Sequence, residues 1–125
     1  MARPPRQRYF ASDPEPRLKT SIWVQAQVRF CDRNFIPVAV VRKGDPDAGA
    51  VTLRLLRGPG KNLLLKRQLQ MDGSSAWTAG AGGEPMDDAT AEAQLGREIG
   101  RDPDLWIIEV DDPKGLYWPD APIAD

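Results

Sequence analysis

The chain is 125 residues long, 41% hydrophobic and 28% charged, with a net charge of −1, which suits one packed domain and leaves little room for a second. It contains no histidine and a single cysteine, Cys31, so a Ser-His-Asp triad, a Cys-His pair, a His-ligated zinc or haem, a four-cysteine metal site and an internal disulfide are all excluded. No apolar run approaches the roughly 20 residues that cross a bilayer, and the lone thiol fits a reducing compartment, so the expected location is the cytoplasm, without membrane contact.

The small net charge hides a division. Residues 1–71 carry fourteen Lys and Arg against five Asp and Glu, a balance of +9, and residues 72–125 carry three against thirteen, a balance of −10. Such asymmetry points to a polyanionic partner for the first half or a basic partner for the second. The plainer alternative is that the halves fold together and their charges interleave across one sheet.

Residues 1–17 hold Pro4, Pro5, Pro14 and Pro16 and show no apolar periodicity, which predicts a flexible, basic, Pro-rich arm. Arg3, Arg6 and Arg8, beside Tyr9 and Phe10, are candidates for partner binding through phosphate contacts and stacking. A solvated terminus is the commoner use of such a segment. No apolar stretch follows this basic start, so it does not read as a secretory signal.

The domain proper covers residues 18–112. Thr20 or Ser21 is placed to cap a first element over residues 21–33. Ile22, Val24, Ala26, Val28 and Phe30 alternate as a strand does, while Val24, Val28 and Cys31 fall at i, i+4, i+7 as on a helix. Periodicity alone leans towards strand. Residues 36–41 are a β-branched run with Pro37 at its start. Residues 42–49 carry turn chemistry throughout. Strands over 50–56 and 63–69 and a short one over 75–78 follow, separated by turns at Gly58-Pro59-Gly60-Lys61-Asn62 and Asp72-Gly73. Consecutive hairpin signals predict an antiparallel meander. After a glycine-rich loop, Asp87 or Asp88 caps a second helix through Ala91, Leu95 and Ile99, with Gly100 at its left-handed end. Residues 105–110 form the clearest strand, apolar enough for burial on both faces. Residues 113–125 read as a surface tail.

Three segments together carry a family resemblance: Leu18-Lys19-Thr20-Ser21-Ile22-Trp23-Val24, Arg42-Lys43-Gly44-Asp45-Pro46-Asp47-Ala48-Gly49-Ala50-Val51 and Asp102-Pro103-Asp104-Leu105-Trp106-Ile107-Ile108-Glu109. The chain resembles, over residues 18–112, a family of short bacterial proteins known only as a domain of unknown function. The resemblance implies a helix at residues 21–33. It implies no activity, cofactor or catalytic residue.

Asp45-Pro46-Asp47-Ala48-Gly49 has the opening of a calcium loop, but the later ligand positions hold Gly49, Ala50 and Leu56, so a turn is the better reading. Asp45, Asp47 and Asp104 remain weak metal candidates. Gly58-Pro59-Gly60-Lys61 and Gly80-Ala81-Gly82-Gly83 lack the spacing of a phosphate cradle. The pairs Asp87/Asp88, Asp102/Asp104 and Asp111/Asp112 sit where caps and strand ends use Asp. The expected fold is α+β, an antiparallel sheet of four to five strands with two helices packed on one face and Trp23, Trp77 and Trp106 in the core. The expected function is a non-catalytic interaction or adaptor module with an unknown protein partner, without cofactor, and with self-association among its expected behaviours. Arg42 and Lys43 join Arg3, Arg6 and Arg8 as partner-binding candidates. A nucleic-acid-binding protein using the arm and basic strands is the first alternative, and a carboxylate-based divalent-metal enzyme the second.

Overall fold

A computed structural model describes residues 19–69, 75–119 and 123–124. The expected arm and the turn at Asp72-Gly73 lie outside the described residues. Helix α1 covers Thr20–Arg33, β1 Val38–Arg42, β2 Val51–Leu56, β3 Asn62–Leu69 and β4 Ser75–Ala79. A 3₁₀ turn at Gly80–Gly83 leads to α2, Asp88–Arg101, then β5, Trp106–Asp111, and the two-residue β6, Ile123–Ala124. Among the described residues no helix is long and apolar enough to cross a membrane.

The sheet runs β1-β5-β2-β3-β4-β6. Strands β2, β3 and β4 form the expected antiparallel meander, with Leu53 opposite Leu65 and Arg67 opposite Trp77. Gly58 and Gly60 take positive φ in the first of its turns, where a side chain would strain the backbone. The meander does not extend to β1. Instead β5 enters between β1 and β2, antiparallel to the first and parallel to the second. The sheet is therefore mixed. Burial explains the insertion: β5 presents Trp106, Ile108 and Val110 to one face and Ile107 to the other, all buried, and only an inner strand can bury both faces.

The turn chemistry at residues 42–49 consequently closes no hairpin. Its loop folds over the start of β5, where Asp45 N–H donates to the Asp104 carbonyl at 3.0 Å and Trp106 N–H donates to the Ala50 carbonyl at 2.9 Å. Trp106 Nε1 donates to the Asp45 carbonyl at 2.7 Å. Gly44 is required here, because a Cβ would collide with the Asp104 carbonyl. The same loop caps α1. Thr20 and Ser21 N–H groups donate to the carbonyls of Asp47 and Pro46, and the Thr20 hydroxyl donates to the Gly49 carbonyl at 2.8 Å. Neither Thr20 nor Ser21 is the N-cap. That position is Lys19, whose side chain makes no cap bond, and loop carbonyls satisfy the amides that a cap normally would.

The two helices occupy opposite faces of the sheet, not one. Trp23, Val24 and Cys31 of α1 pack with Leu53, Leu55, Leu65, Trp77, Ile108 and Val110. Trp23 stacks on Trp77 with ring centroids 5.5 Å apart. Leu95 of α2 packs with Leu64, Leu105 and Ile107. Since Leu64 and Leu65, like Ile107 and Ile108, are consecutive strand residues, their side chains leave opposite sides of the sheet. Helix α2 is capped by Asp87, whose Oδ1 accepts Thr90 N–H at 2.8 Å. It runs through Gly100 to Arg101 and caps at Asp102, so Gly100 does not take the left-handed end position expected of it.

Candidate interaction surface

Part of the first half's charge meets the second half's inside the fold. Arg54, on the α2 face of β2, is only 6% exposed. Its Nε donates to Asn62 Oδ1 at 2.9 Å, and its Nη1 meets Glu92 at 2.6 Å and Glu109 at 3.2 Å. Asp88 lies 3.7 Å from its Nη2. Beside it the buried Glu98 accepts from the Thr52 hydroxyl at 2.9 Å and the Gln94 amide at 3.1 Å, with Lys66 Nζ at 3.6 Å. Burying these charges is tolerable only because each is paired and hydrogen-bonded. First-half cations thus meet second-half carboxylates across one sheet face. A cavity of about 150 Å³ adjoins the network, lined by Thr52, Lys66, Glu98 and Arg101, but both Glu98 oxygens are already engaged.

Of the carboxylates singled out as metal candidates, that of Asp45 holds a turn. Asp45 Oδ2 accepts Ala48 N–H at 2.8 Å, and Asp47 pairs loosely with Lys19 at 3.8 Å between exposed side chains. Asp104 sits in the turn before β5, where its own N–H donates to Asp102 Oδ1 at 3.1 Å. Among the described residues no group of three or more Cys, Asp or Glu is placed to hold a metal ion. Arg42 Nη2 donates to the Pro103 carbonyl at 2.8 Å, and Lys43 is exposed. Arg3, Arg6 and Arg8 lie outside the described residues. Cys31 is buried, and burial, with Asp112 and Asp32 adding to it, pushes its thiol up to about 11. It stays protonated and inert at neutral pH.

A different feature emerges where α1 ends. Ile36 N–H donates to the Cys31 carbonyl at 2.9 Å and Phe35 N–H to the Asp32 carbonyl at 3.3 Å, the double closure of a Schellman motif. Its left-handed position is ordinarily glycine. Here it is Phe35, at φ 58° and 94% exposed. A bulky residue at positive φ is a steric outlier, and this one recovers almost nothing by burial.

Phe35 does not stand alone. It lines, with Asn34, Pro37, Asp111, Pro113, Lys114 and Leu116, a shallow cavity of about 370 Å³ that also includes buried Ile36. Asp112 builds the opposite wall. Its carboxylate accepts Leu116 N–H at 2.9 Å, Tyr117 N–H at 2.7 Å and Arg57 Nη1 at 2.8 Å. Tyr117, fully buried, then pins the chain after β5 against α1, its hydroxyl donating to Gln27 Oε1 at 2.8 Å. Leu116 and Trp118 on either side of it point outwards and are about half exposed. Arg57 lies over the Trp118 ring, 4.8 Å from its centroid, which holds that exposed indole in place. Residue-by-residue reading missed Phe35, and no local signal marks it, since Asn34 follows the helix directly and Ile36 precedes Pro37. The Asp111/Asp112 pair stands at the end of β5, where Asp112 works as a hydrogen-bonded cradle.

The mixed sheet with a helix on each face defines an α+β protein whose exposed cluster is apolar and aromatic. The chain belongs to the DUF1491 family of proteins of unknown function, whose model matches residues 18–117. A crystal structure of a DUF1491 family protein from Caulobacter crescentus CB15 is similar, with 29% identity and a TM-score of 0.78 over 86% of this chain and 100% of that one. An NMR structure of a DUF1491 family protein from the same organism gives 28% identity and a TM-score of 0.75, over 86% and 97% of the two chains. A solution structure of a protein from A. tumefaciens gives 27% and 0.64, over 76% and 86%. No curated protein matches the chain.

Proposed function

We propose that the protein is a non-catalytic interaction module, acting in the cytoplasm, and that it holds a protein partner through Phe35, Leu116 and Trp118. The carrying observation is Phe35, in a backbone conformation that disfavours its side chain and in a position that leaves the ring in water. Strain kept without local compensation is a mark of a contact made elsewhere. Exposed aromatic and apolar side chains beside a shallow cavity are the usual anchors of protein interfaces. Arg54, Arg57 and Lys66 are engaged with carboxylates, so these three cations are committed within the fold rather than offered to a nucleic acid.

The test is site-specific photo-crosslinking in living cells. A benzoylphenylalanine in place of Phe35 is expected to give a discrete adduct, and the same group in place of Arg97, exposed on α2, is expected to give none. The position-35 adduct should vanish when Leu116→Asp is added. An adduct of twice the chain's own mass assigns the surface to self-association, also an interaction function. The reading fails if position 35 captures nothing, or captures the same products as position 97.

A further inference from the structure

We infer that the partner contributes an extended segment, apolar along its length and acidic at one end, which adds as a further strand on the outer edge of β1 and seats a large side chain in the Phe35–Leu116 cavity. This rests on the interaction reading above and adds to it the chemistry and geometry of the partner. Among the described residues β1 pairs only with β5, so its other edge is open. Asp111 N–H donates to the Pro37 carbonyl. With Ala39 opposite Glu109 and Val40 opposite Ile108, the alternation of an antiparallel ladder turns the N–H and C=O groups of Val38 and Val40 away from β5.

Natural sheet edges are commonly protected by inward charges or lysines in mid-strand. Here mid-strand holds Ala39, Val40 and Val41, all exposed. The register shift between Val40 and Arg42 marks a bulge at Val41, which limits addition to one short stretch and opposes open-ended stacking. That stretch begins at Pro37, which also lines the cavity, so edge and cavity form one continuous track.

Charge selects the occupant. Arg42 and Lys43 stand at the far end of β1, and neither makes an ion pair among the described residues. A second copy paired along the same edge brings two more cations and no carboxylate from β1. Residues 1–17 bring Arg3, Arg6, Arg8 and Arg17 against Asp13 and Glu15, again the wrong sign. A segment acidic where it meets Arg42 and Lys43, and uncharged where it passes Asp111 at the cavity, complements the track.

Amide hydrogen exchange on the full chain tests this, with two synthetic peptides as probes. Each alternates Val and Thr, with Phe at one end and two Asp at the other, one peptide for each chain direction. One of them, at ten times its Kd, should slow exchange at Val38 and Val40 about tenfold. The same peptide N-methylated at alternate residues should not, and Lys in place of its Asp should weaken binding. Val40→Pro removes an N–H that β5 does not use, and should abolish the effect and the position-35 adduct together. The inference is overturned if neither peptide slows these amides, or if Val40 is already protected in the chain alone. If the adduct at position 35 survives Val40→Pro undiminished, strand addition is wrong while the interaction module stands.

Discussion

The sheet's α2 face and the rim at the end of β5 invert the usual arrangement of a soluble protein. Under α2 the interior holds charge beside the apolar Leu64, Leu95, Leu105 and Ile107, with Arg54 and Glu98 buried among hydrogen-bonding partners. At the rim the exterior is apolar, with Phe35, Leu116 and Trp118 presented to solvent. A sequence divided +9 against −10 invites an electrostatic function, yet three of the first-half cations, Arg54, Arg57 and Lys66, meet second-half carboxylates within the fold. The rim, by contrast, presents aromatic surface. The difference teaches that charge asymmetry along a chain says little about charge asymmetry on a surface, because distant segments neutralise one another wherever strands bring them together.

Substitutions can break this contrast, and the largest effect is expected on the charged side. Arg54→Ala leaves Asp88, Glu92 and Glu109 gathered without a cation. Removing one member of a buried pair typically costs 3–5 kcal/mol, and since Asp88 and Glu92 are substantially exposed, about 2–3 kcal/mol of urea-unfolding stability should be lost. Next comes Gly44→Ala, which forces a methyl group onto the Asp104 carbonyl and disturbs the loop that caps α1. About 1–3 kcal/mol is expected, read from the same denaturation curves.

On the apolar side the sign reverses. Phe35→Gly relieves a left-handed backbone that costs a non-glycine residue about 1–2 kcal/mol, partly offset by the greater unfolded-state freedom of glycine. Stability should rise by about 0.5–1 kcal/mol while the position-35 contact is lost. A variant that folds better and binds worse separates a functional residue from a structural one. If Phe35→Gly destabilises the fold, the ring has a structural role and the contrast collapses. The smallest effect concerns pH. The Thr90 hydrogen bonds hold the Asp87 carboxyl below its usual value, so its folded pKa is depressed relative to the unfolded chain. Its contribution to α2 is present above the unfolded pKa and lost as pH falls through the folded one. Thermal melts from neutral pH into the acidic carboxylate range should show a shallower fall in Tm for Asp87→Asn than for the parent chain.

Much of the local structure was legible. The β2–β3–β4 meander follows from turn residues between apolar runs, the α2 cap from Asp87, and the inner position of β5 from Trp106, Ile107 and Ile108 in succession. Helix α1 was nearly misread. Ile22 and Phe30 alternate with core residues as in a strand, but both are exposed, and the true core side is Trp23, Val24 and Cys31. Apolar residues on a solvent-facing side corrupt a periodicity signal, and the family resemblance tips the mixed pattern to helix there. The candidate site was legible hardly at all. Asp45, Asp47 and Asp104 are conspicuous by residue type, and of these the Asp45 carboxylate holds a turn, whereas Phe35 becomes conspicuous only once its φ and its exposure are known.

By itself the sequence determined the elements, the lack of imidazole and multi-thiol chemistry, and the three buried tryptophans, because propensity, capping and hydrophobicity act within a few residues of one another. Only the tertiary structure decided that β5 divides β1 from β2, that the helices lie on opposite faces, that Arg54 finds its carboxylates, and that Phe35 and Leu116 share a cavity. Each of those joins groups far apart in the chain, where pairing depends on which arrangement buries the most apolar surface and satisfies the most polar groups at once.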